Sequence, residues 1–303
     1  MGTRHFTKIW DLTKEEVFYL IERALKFKKE KNWEKTLEGK ILALIFEKAS
    51  TRTRISFEVA MRKLGGSSLF LSHQDLQLAR GEPIKDTARV LSRYVDGIVL
   101  RTYRQETIEE FAAHATIPVI NGLSDKFHPC QVLSDIMTIL EKKKDLYRDK
   151  IVWLGDGNNM AHSWVEASAL LGFPLTICCP KGFEPDPKLL QEAKDKFQAK
   201  IEIIHSPQEA LKDAVIINTD VWVSMGQEAE AETRKKAFQG FTLTKDLLKF
   251  AHPQAIVLHC LPAYRGFEIE EEVLEGSQSV VWDQAENRMW FQMSLLDFLM
   301  KDL

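Results

Sequence analysis

Six consecutive apolar residues at 41–46, ILALIF, are too few for a helix and too uniform for a half-exposed strand, so they predict a strand buried on both faces, as in a parallel sheet. Helical spacing follows at once. Ile55, Val59, Ala60 and Leu64 mark one face, and Gly65-Gly66 supplies a stop. Upstream, Thr13 and Glu16 form a capping-box pair ahead of Val17, Leu20, Ile21, Ala24 and Leu25 at helical spacing, which predicts an amphipathic first helix. Downstream come a short strand near 68–71, a polar loop at 73–82, a helix opened by Pro83 and a strand at 97–100. That strand delivers Arg101 at its C-terminal end, the edge where open α/β sheets bind ligands. A helix at 106–114 and a strand at 118–120 lead to His128-Pro129-Cys130-Gln131, where Pro129 opens a helix carrying Val132, Ile136, Ile139 and Leu140.

The charged stretch 141–150 marks the best boundary, because a buried strand at 151–154 begins behind it. Further strands are predicted at 175–179, 201–204, 214–218, 255–259 and 279–282, with helices between most of them. Glu286-Asn287-Arg288 then opens a long helix with an apolar stripe of Met289, Met293, Leu296 and Met300. This rhythm predicts an α/β protein with two doubly wound domains, each with a mostly parallel central sheet flanked by helices, and a ligand site in the cleft between them.

Composition changes this picture little. The chain has 303 residues, enough for about two domains of ~150. Its hydrophobic fraction is 45%, its charged fraction 28% and its net charge −3, which gives no reason to expect nucleic acid. No apolar run approaches the ~18 residues that would span a membrane. The four cysteines, Cys130, Cys178, Cys179 and Cys260, form no C-x-x-C pair and follow no signal sequence, so a reducing, cytoplasmic setting is expected.

Four segments and His128 carry candidate chemistry, and each has a plain structural alternative. Ser50-Thr51-Arg52-Thr53-Arg54, between strand and helix, gathers hydroxyls, guanidinium groups and helix N-terminal N–H groups, which suits a phosphate. Equally, it can be an N-cap with solvated arginines. Gly155-Asp156-Gly157-Asn158-Asn159 falls where a dinucleotide fingerprint would, but G-x-G-x-x-G would need glycine at Met160. Asp220-Val221-Trp222-Val223-Ser224-Met225-Gly226-Gln227-Glu228 follows a predicted strand and is either a solvated loop or a binding lid. Cys260 in His259-Cys260-Leu261-Pro262 is either a buried structural thiol or a ligand, although the other cysteines lack the spacing of a zinc site. His128, just ahead of a helix, serves as a cap, a packed ring or a catalyst.

Taken together, STRTR, the strand-end Arg101, HPCQ, GDGNN, DVWVSMGQE and HCLP resemble, in order and over most of the chain, the motifs of the aspartate/ornithine carbamoyltransferase family. The loop DVWVSMGQE and HCLP are similar to its ornithine-specific branch. Aspartate carbamoyltransferases lack both, and Asp220 argues for a free α-amino group, which N-acetylornithine and putrescine do not offer.

The resemblance implies transfer of the carbamoyl group from carbamoyl phosphate to the δ-amine of L-ornithine, most simply in arginine biosynthesis. It implies a carbamoyl phosphate-binding domain at 1–145, an L-ornithine-binding domain at 146–284 and a C-terminal helix at 285–303 that packs back on the first domain. Ser50, Thr51, Arg52 and Thr53 would hold the phosphate, with Arg101, Arg288 and, from a neighbouring subunit, Gln77. His128, Pro129, Cys130 and Gln131 would face the carbamoyl group, with Cys260 and Leu261 beside the attacking amine. Arg52, Arg101, His128, Gln131 and Cys260 would be catalytic. Asn159, Asp220, Ser224 and Met225 would bind ornithine. No metal or cofactor is implied, and the expected assembly is a homotrimer or a set of trimers with active sites at subunit interfaces.

Overall fold

The computed structural model describes residues 2–30, 33–72, 74, 76–224 and 228–302. The chain forms two compact units. The first runs to Ser134 and resumes at Asn287; the second is Asp135–Glu286.

In the first unit, strands β1 (Ile41–Phe46), β2 (Ser67–Ser72), β3 (Gly97–Arg101) and β4 (Val119–Leu123) pair in parallel in the order β2-β1-β3-β4. The chain goes from β1 to one side and then returns to its other side with β3. The switch point of the sheet therefore lies between β1 and β3, whose C-terminal ends lead to residues 47–54 and to Arg101. A register shift between Leu100 and Arg101 re-aims the end of β3. Helix α1 (Lys14–Lys29) carries the predicted capping box: Glu16 N–H donates to Thr13 Oγ1 at 3.2 Å, and Thr13 N–H donates to Glu16 at 2.9 Å. Such a cap is worth about 1 kcal/mol.

Helix α2 (Thr51–Lys63) follows β1, but its buried face is Thr53, Phe57, Ala60 and Met61. Ile55, placed on that face from spacing, is 49% exposed. The stripe is displaced because Thr53, a polar residue, occupies the inward position of the first turn. Helices α3 (Ile84–Leu91) and α4 (Gln105–His114) pack together, with Ala88, Ile108 and Phe111 against Ala43, Ile45, Ile98 and Leu100 of the sheet, and α5 (Pro129–Glu141) begins after β4. β4 runs on through Asn121 and Gly122, further than the pattern predicted.

The second unit repeats the plan. Strands β5 (Ile151–Leu154), β6 (Leu175–Cys178), β7 (Ile201–Ile204), β8 (Ile216–Thr219) and β9 (Ile256–His259) pair in parallel in the order β7-β6-β5-β8-β9. Its switch point lies between β5 and β8, which lead to the GDGNN turn and to Asp220. Helices α6 (Asn159–Leu171), α7 (Pro187–Phe197), α8 (Pro207–Leu211), α9 (Ala231–Ala237), α10 (Lys245–Leu248) and α11 (Glu271–Leu274) join the strands. Trp153, Trp164 and Phe173 are fully buried in its core.

The strand predicted at 279–282 does not form. Ser279 makes only an isolated bridge to Val257, closed by Val257 N–H on Gln278 O and Val280 N–H on Val257 O. Helix α12 (Val281–Met300) then begins, so Val281 and Trp282 lie in its first turn. Helical hydrogen bonding here overrides the strand preference of Val and Trp. As a further consequence Arg288 sits inside α12, not at its opening. Residues 287–303 belong to the first unit, where Asp297 accepts from Arg23 at 2.6 Å. Among the described residues no helix is long and apolar enough to cross a membrane.

Candidate active site

In the first unit the site is built on the N-terminus of α2. Ser50 is its N-cap, and its hydroxyl accepts from Thr53 N–H at 3.2 Å. Thr53 points inward and is fully buried, and its Oγ1 accepts from Arg288 Nη2 at 3.1 Å and Arg101 Nη1 at 3.4 Å. Thr51 and Arg52 are exposed at the same turn. Arg54, the second guanidinium of the motif, serves the fold instead: its Nε donates to Glu58 at 2.8 Å and it covers the Phe70 ring at 3.8 Å. The cation that replaces it, Arg288, comes from α12. Two guanidinium groups are thus buried side by side, which is costly unless anions or dipoles compensate them.

His128 lies directly before α5, where its carbonyl accepts Gln131 N–H at 3.1 Å, and both side chains are buried. Burial, and then the charges of Arg288, Arg101 and Arg52, push the imidazole pKa well below its usual 6.5. His128 is therefore neutral at neutral pH and able to donate a hydrogen bond without carrying charge. Pro129 and Cys130 are buried beside it. The Cys130 thiol donates to Asn121 O at 3.4 Å and is pushed up to about 12 by burial, so it is no nucleophile. Gln77 is exposed on a short 3-10 turn, Gln77–Arg80.

In the second unit Asp220 follows β8 and is buried. Its Oδ1 accepts from Cys260 Sγ at 2.9 Å and its Oδ2 from Asn158 Nδ2 at 3.1 Å. Burial raises its pKa, opposed mainly by His259 and by the Cys260 hydrogen bond. Asn158 is also the N-cap of α6, accepting from Met160 and Ala161 N–H, while Asn159 is the first helical residue. Cys260 is held by the turn after β9: His259 Nδ1 accepts Leu261 N–H at 2.9 Å while Nε2 meets Glu268 at 3.1 Å. Leu261 adopts a left-handed φ of 56° there. Ser224 is half-buried, and Met225 lies outside the described residues.

Three buried neighbours of these residues were given no role from the sequence. Asn158 was legible as an Asn just before a helical pattern. Glu268 had no local signal. Neither had Arg234, whose Nη1 donates to Asp156 at 2.8 Å and to Trp222 O at 3.2 Å.

Asp220, His259 and Cys260 place three potential ligand atoms within 4.8 Å of one another. Both ring nitrogens of His259 are already engaged, so the ring would have to release one before it could take a metal. The GDGNN turn is shaped by packing: a Cβ on Gly157 would overlap the backbone of Phe183, Glu184 and Pro185. Position 160, where a dinucleotide fingerprint requires glycine, holds a buried Met160.

The family model for the carbamoyl-P binding domain of aspartate/ornithine carbamoyltransferase matches residues 4–141, and that for the Asp/Orn binding domain matches residues 148–299. The ornithine carbamoyltransferase of Pelobacter propionicus is 52% identical over 300 residues, covering 98% of both chains. The solved ornithine carbamoyltransferase of Pyrococcus furiosus superposes with a TM-score of 0.94 at 50% identity, covering 100% of this chain and 98% of that one. The anabolic ornithine carbamoyltransferase of Campylobacter jejuni gives a TM-score of 0.93 at 44% identity, covering 100% of both. With matched models spanning both units and relatives aligned nearly end to end, the chain belongs to the aspartate/ornithine carbamoyltransferase family.

Proposed function

We propose that this enzyme transfers the carbamoyl group of carbamoyl phosphate to the δ-amine of L-ornithine, giving L-citrulline and phosphate, in the direction of arginine biosynthesis. The observation that carries the reading is the convergence of Arg101 and Arg288 on Thr53 Oγ1 beside a histidine held neutral. Carbamoyl phosphate is a small, labile polyanion, and a site for it needs fixed cations, N–H donors and a way to polarise one carbonyl.

Ser50, Thr51, Arg52 and Thr53 bind the phosphate with the α2 N-terminus, joined by Arg101, Arg288 and a neighbouring subunit's Gln77. His128 and Gln131 donate to the carbamoyl oxygen and gather the charge that builds as the amine attacks, while Pro129 and Cys130 line the group. Asp220 pairs the α-ammonium of ornithine, and Asn159, Ser224 and Met225 bind its amino-acid end. Cys260 and the Leu261 carbonyl orient the δ-nitrogen.

The amine must arrive neutral, although its ordinary pKa is about 10. A cationic, water-poor surrounding favours the neutral form. The C–N bond forms as the C–O bond to phosphate breaks, the electron pair leaves with phosphate, and the amine's proton goes to the departing phosphate oxygen. The reading includes a cytoplasmic homotrimer, or a set of trimers, with sites at subunit interfaces.

The test is an assay of citrulline and phosphate release with carbamoyl phosphate and, in parallel, ornithine, aspartate, putrescine and N-acetylornithine. Ornithine is expected to be the preferred acceptor by at least about 100-fold, because a buried carboxylate without its ammonium partner is strongly penalised. A preference for putrescine or N-acetylornithine would overturn the role of Asp220.

A further inference from the structure

Behind the turns that carry Asp220 and Cys260 lies a buried polar chain that the proposed chemistry does not use. Asp135, on α5, is fully buried. Its Oδ1 accepts from Gln284 Nε2 at 2.7 Å and its Oδ2 from Asn218 Nδ2 at 3.0 Å. Gln284, also fully buried and in the first turn of α12, turns its Oε1 to His259 N–H at 2.8 Å. That bond fixes the orientation of the carboxamide, since only its oxygen can accept a backbone N–H. Its nitrogen then requires an acceptor, and Asp135 supplies one.

The two ends of this chain land on neighbouring strands. Asn218 is paired with Leu258, and Thr219 with His259, in the β8–β9 ladder. Asn218 lies two residues before Asp220, and His259 one residue before Cys260. Asp135 therefore brackets the two strand ends whose next residues meet as Cys260 Sγ on Asp220 Oδ1 at 2.9 Å. A buried hydrogen-bond network in which one member satisfies two others holds its geometry tightly, and a partly satisfied one is worse than an apolar replacement.

We propose that Asp135 and Gln284 are positioning residues for ornithine: by clamping Asn218 and the His259 amide they set the separation of Asp220 and Cys260. The inference rests on the proposed role of those two residues as the ornithine end of the site. Neither Asp135 nor Gln284 touches substrate in this reading. They act through the strands.

The network's chemistry supplies its own rescue. In Asp135→Asn the oxygen still accepts from Asn218, but the amide nitrogen faces the Gln284 nitrogen, donor against donor. In Gln284→Glu the His259 N–H is still accepted, but two carboxyl groups face each other. With both substitutions, the Asn amide donates to the Glu carboxylate, which also accepts from His259 N–H, so these three bonds are rebuilt with the carboxyl group moved one residue along.

The experiment is steady-state kinetics of the two single variants, the double variant and the wild type, in the full-length enzyme, with thermal unfolding of each. Each single variant is expected to raise the ornithine KM by about tenfold, from one donor or acceptor left unmet. The carbamoyl phosphate KM should stay within about twofold, and the double variant should return the ornithine KM to near the wild-type value. If the singles lower both affinities equally, or the double is no better than the worse single, the clamp is overturned. Should both singles fail to fold, the double alone decides: a folded enzyme with near wild-type ornithine KM supports the clamp, and a misfolded one overturns it. Failure of the wild type to carbamoylate ornithine would instead sink the functional reading, which this control detects separately.

Discussion

The Arg288 guanidinium donates to the Thr53 hydroxyl at 3.1 Å, joining residues 235 positions apart in the chain. Arg101 reaches the same oxygen at 3.4 Å, and Arg52 stands exposed on the same first turn of α2. A neutral hydroxyl brings no counter-charge of its own, so a dianion bound at this turn would gain from both cations. Inorganic phosphate at about 100 times its Kd should therefore stabilise the fold by about 2.7 kcal/mol. Replacing Arg288 with Met should remove most of that gain. Thermal unfolding in phosphate and in chloride at equal ionic strength measures it, and an unchanged phosphate response in the variant would refute an anion site at this turn.

His128 supplies a pH test. Its folded pKa is lowered well below 6.5, by burial and then by Arg288, Arg101 and Arg52. The unfolded chain takes up the proton near 6.5 while the folded one does not, so stability is lost as pH falls below that value. In His128→Gln this component of the acid loss should disappear. NMR of the ring should show no titration of His128 between about pH 6 and 8. A midpoint inside that window would mean the ring is charged during catalysis.

Asp220 should dominate ornithine affinity. Its buried carboxylate has a raised pKa, so lowering the pH protonates it before an ordinary aspartate and removes the partner proposed for the α-ammonium. Asp220→Asn should raise the ornithine KM by at least about tenfold, the loss of one charged hydrogen bond, and leave the carbamoyl phosphate KM nearly unchanged. The reverse pattern would show that the two units have been assigned to the wrong substrates.

Both sheets were legible because most of their strands are short runs rich in apolar residues, with helical spacing between them. ILALIF became β1, and the STRTR, GDGNN and Asp220 turns follow strands that flank the switch points, whereas HCLP follows the edge strand β9. What failed was decided by distant partners. Val281 and Trp282 read as strand by type, yet the chain beyond Ser279 closes helical bonds. Ile55 matched the period of a buried face, but the inward place belongs to Thr53, whose burial is set by Arg288 from the far end of the sequence. Arg234 and Glu268 carry no local signal, since nothing nearby in sequence announces a buried partner.

The ion pair of Arg234 with Asp156 gives a second pH signature. The guanidinium also donates to Trp222 O, so it ties the GDGNN turn to the segment after Asp220. Burial lifts Asp156 from 3.8 to about 6, against the pull of Arg234. A raised carboxyl favours the fold when protonated, an effect present below 3.8 and lost as pH rises through about 6. Arg234→Met removes the compensating cation and raises Asp156 further. The variant should lose stability at pH 7.5 by about 3 kcal/mol and recover part of it by pH 5.5. A deficit that stays constant across this range would show that the pair is not what the substitution breaks.

Sharing of sites between subunits can be settled by complementation. Arg52 lies on the turn proposed to bind phosphate in its own chain, whereas the role of Gln77 is proposed in a neighbour's site. An Arg52→Ala chain then spoils only its own site and an Gln77→Ala chain only its neighbour's. In the proposed trimers, reassembled from equal amounts of the two variants, a site works when its own chain carries Arg52 and the donating neighbour carries Gln77, which occurs in about a quarter of sites. Ornithine-dependent activity should therefore return to about 25% of the wild-type level per chain. If each chain completed its own site, every site in the mixture would lack one of the two groups. The mixture would stay as inactive as its components, and the intersubunit role of Gln77 would be lost.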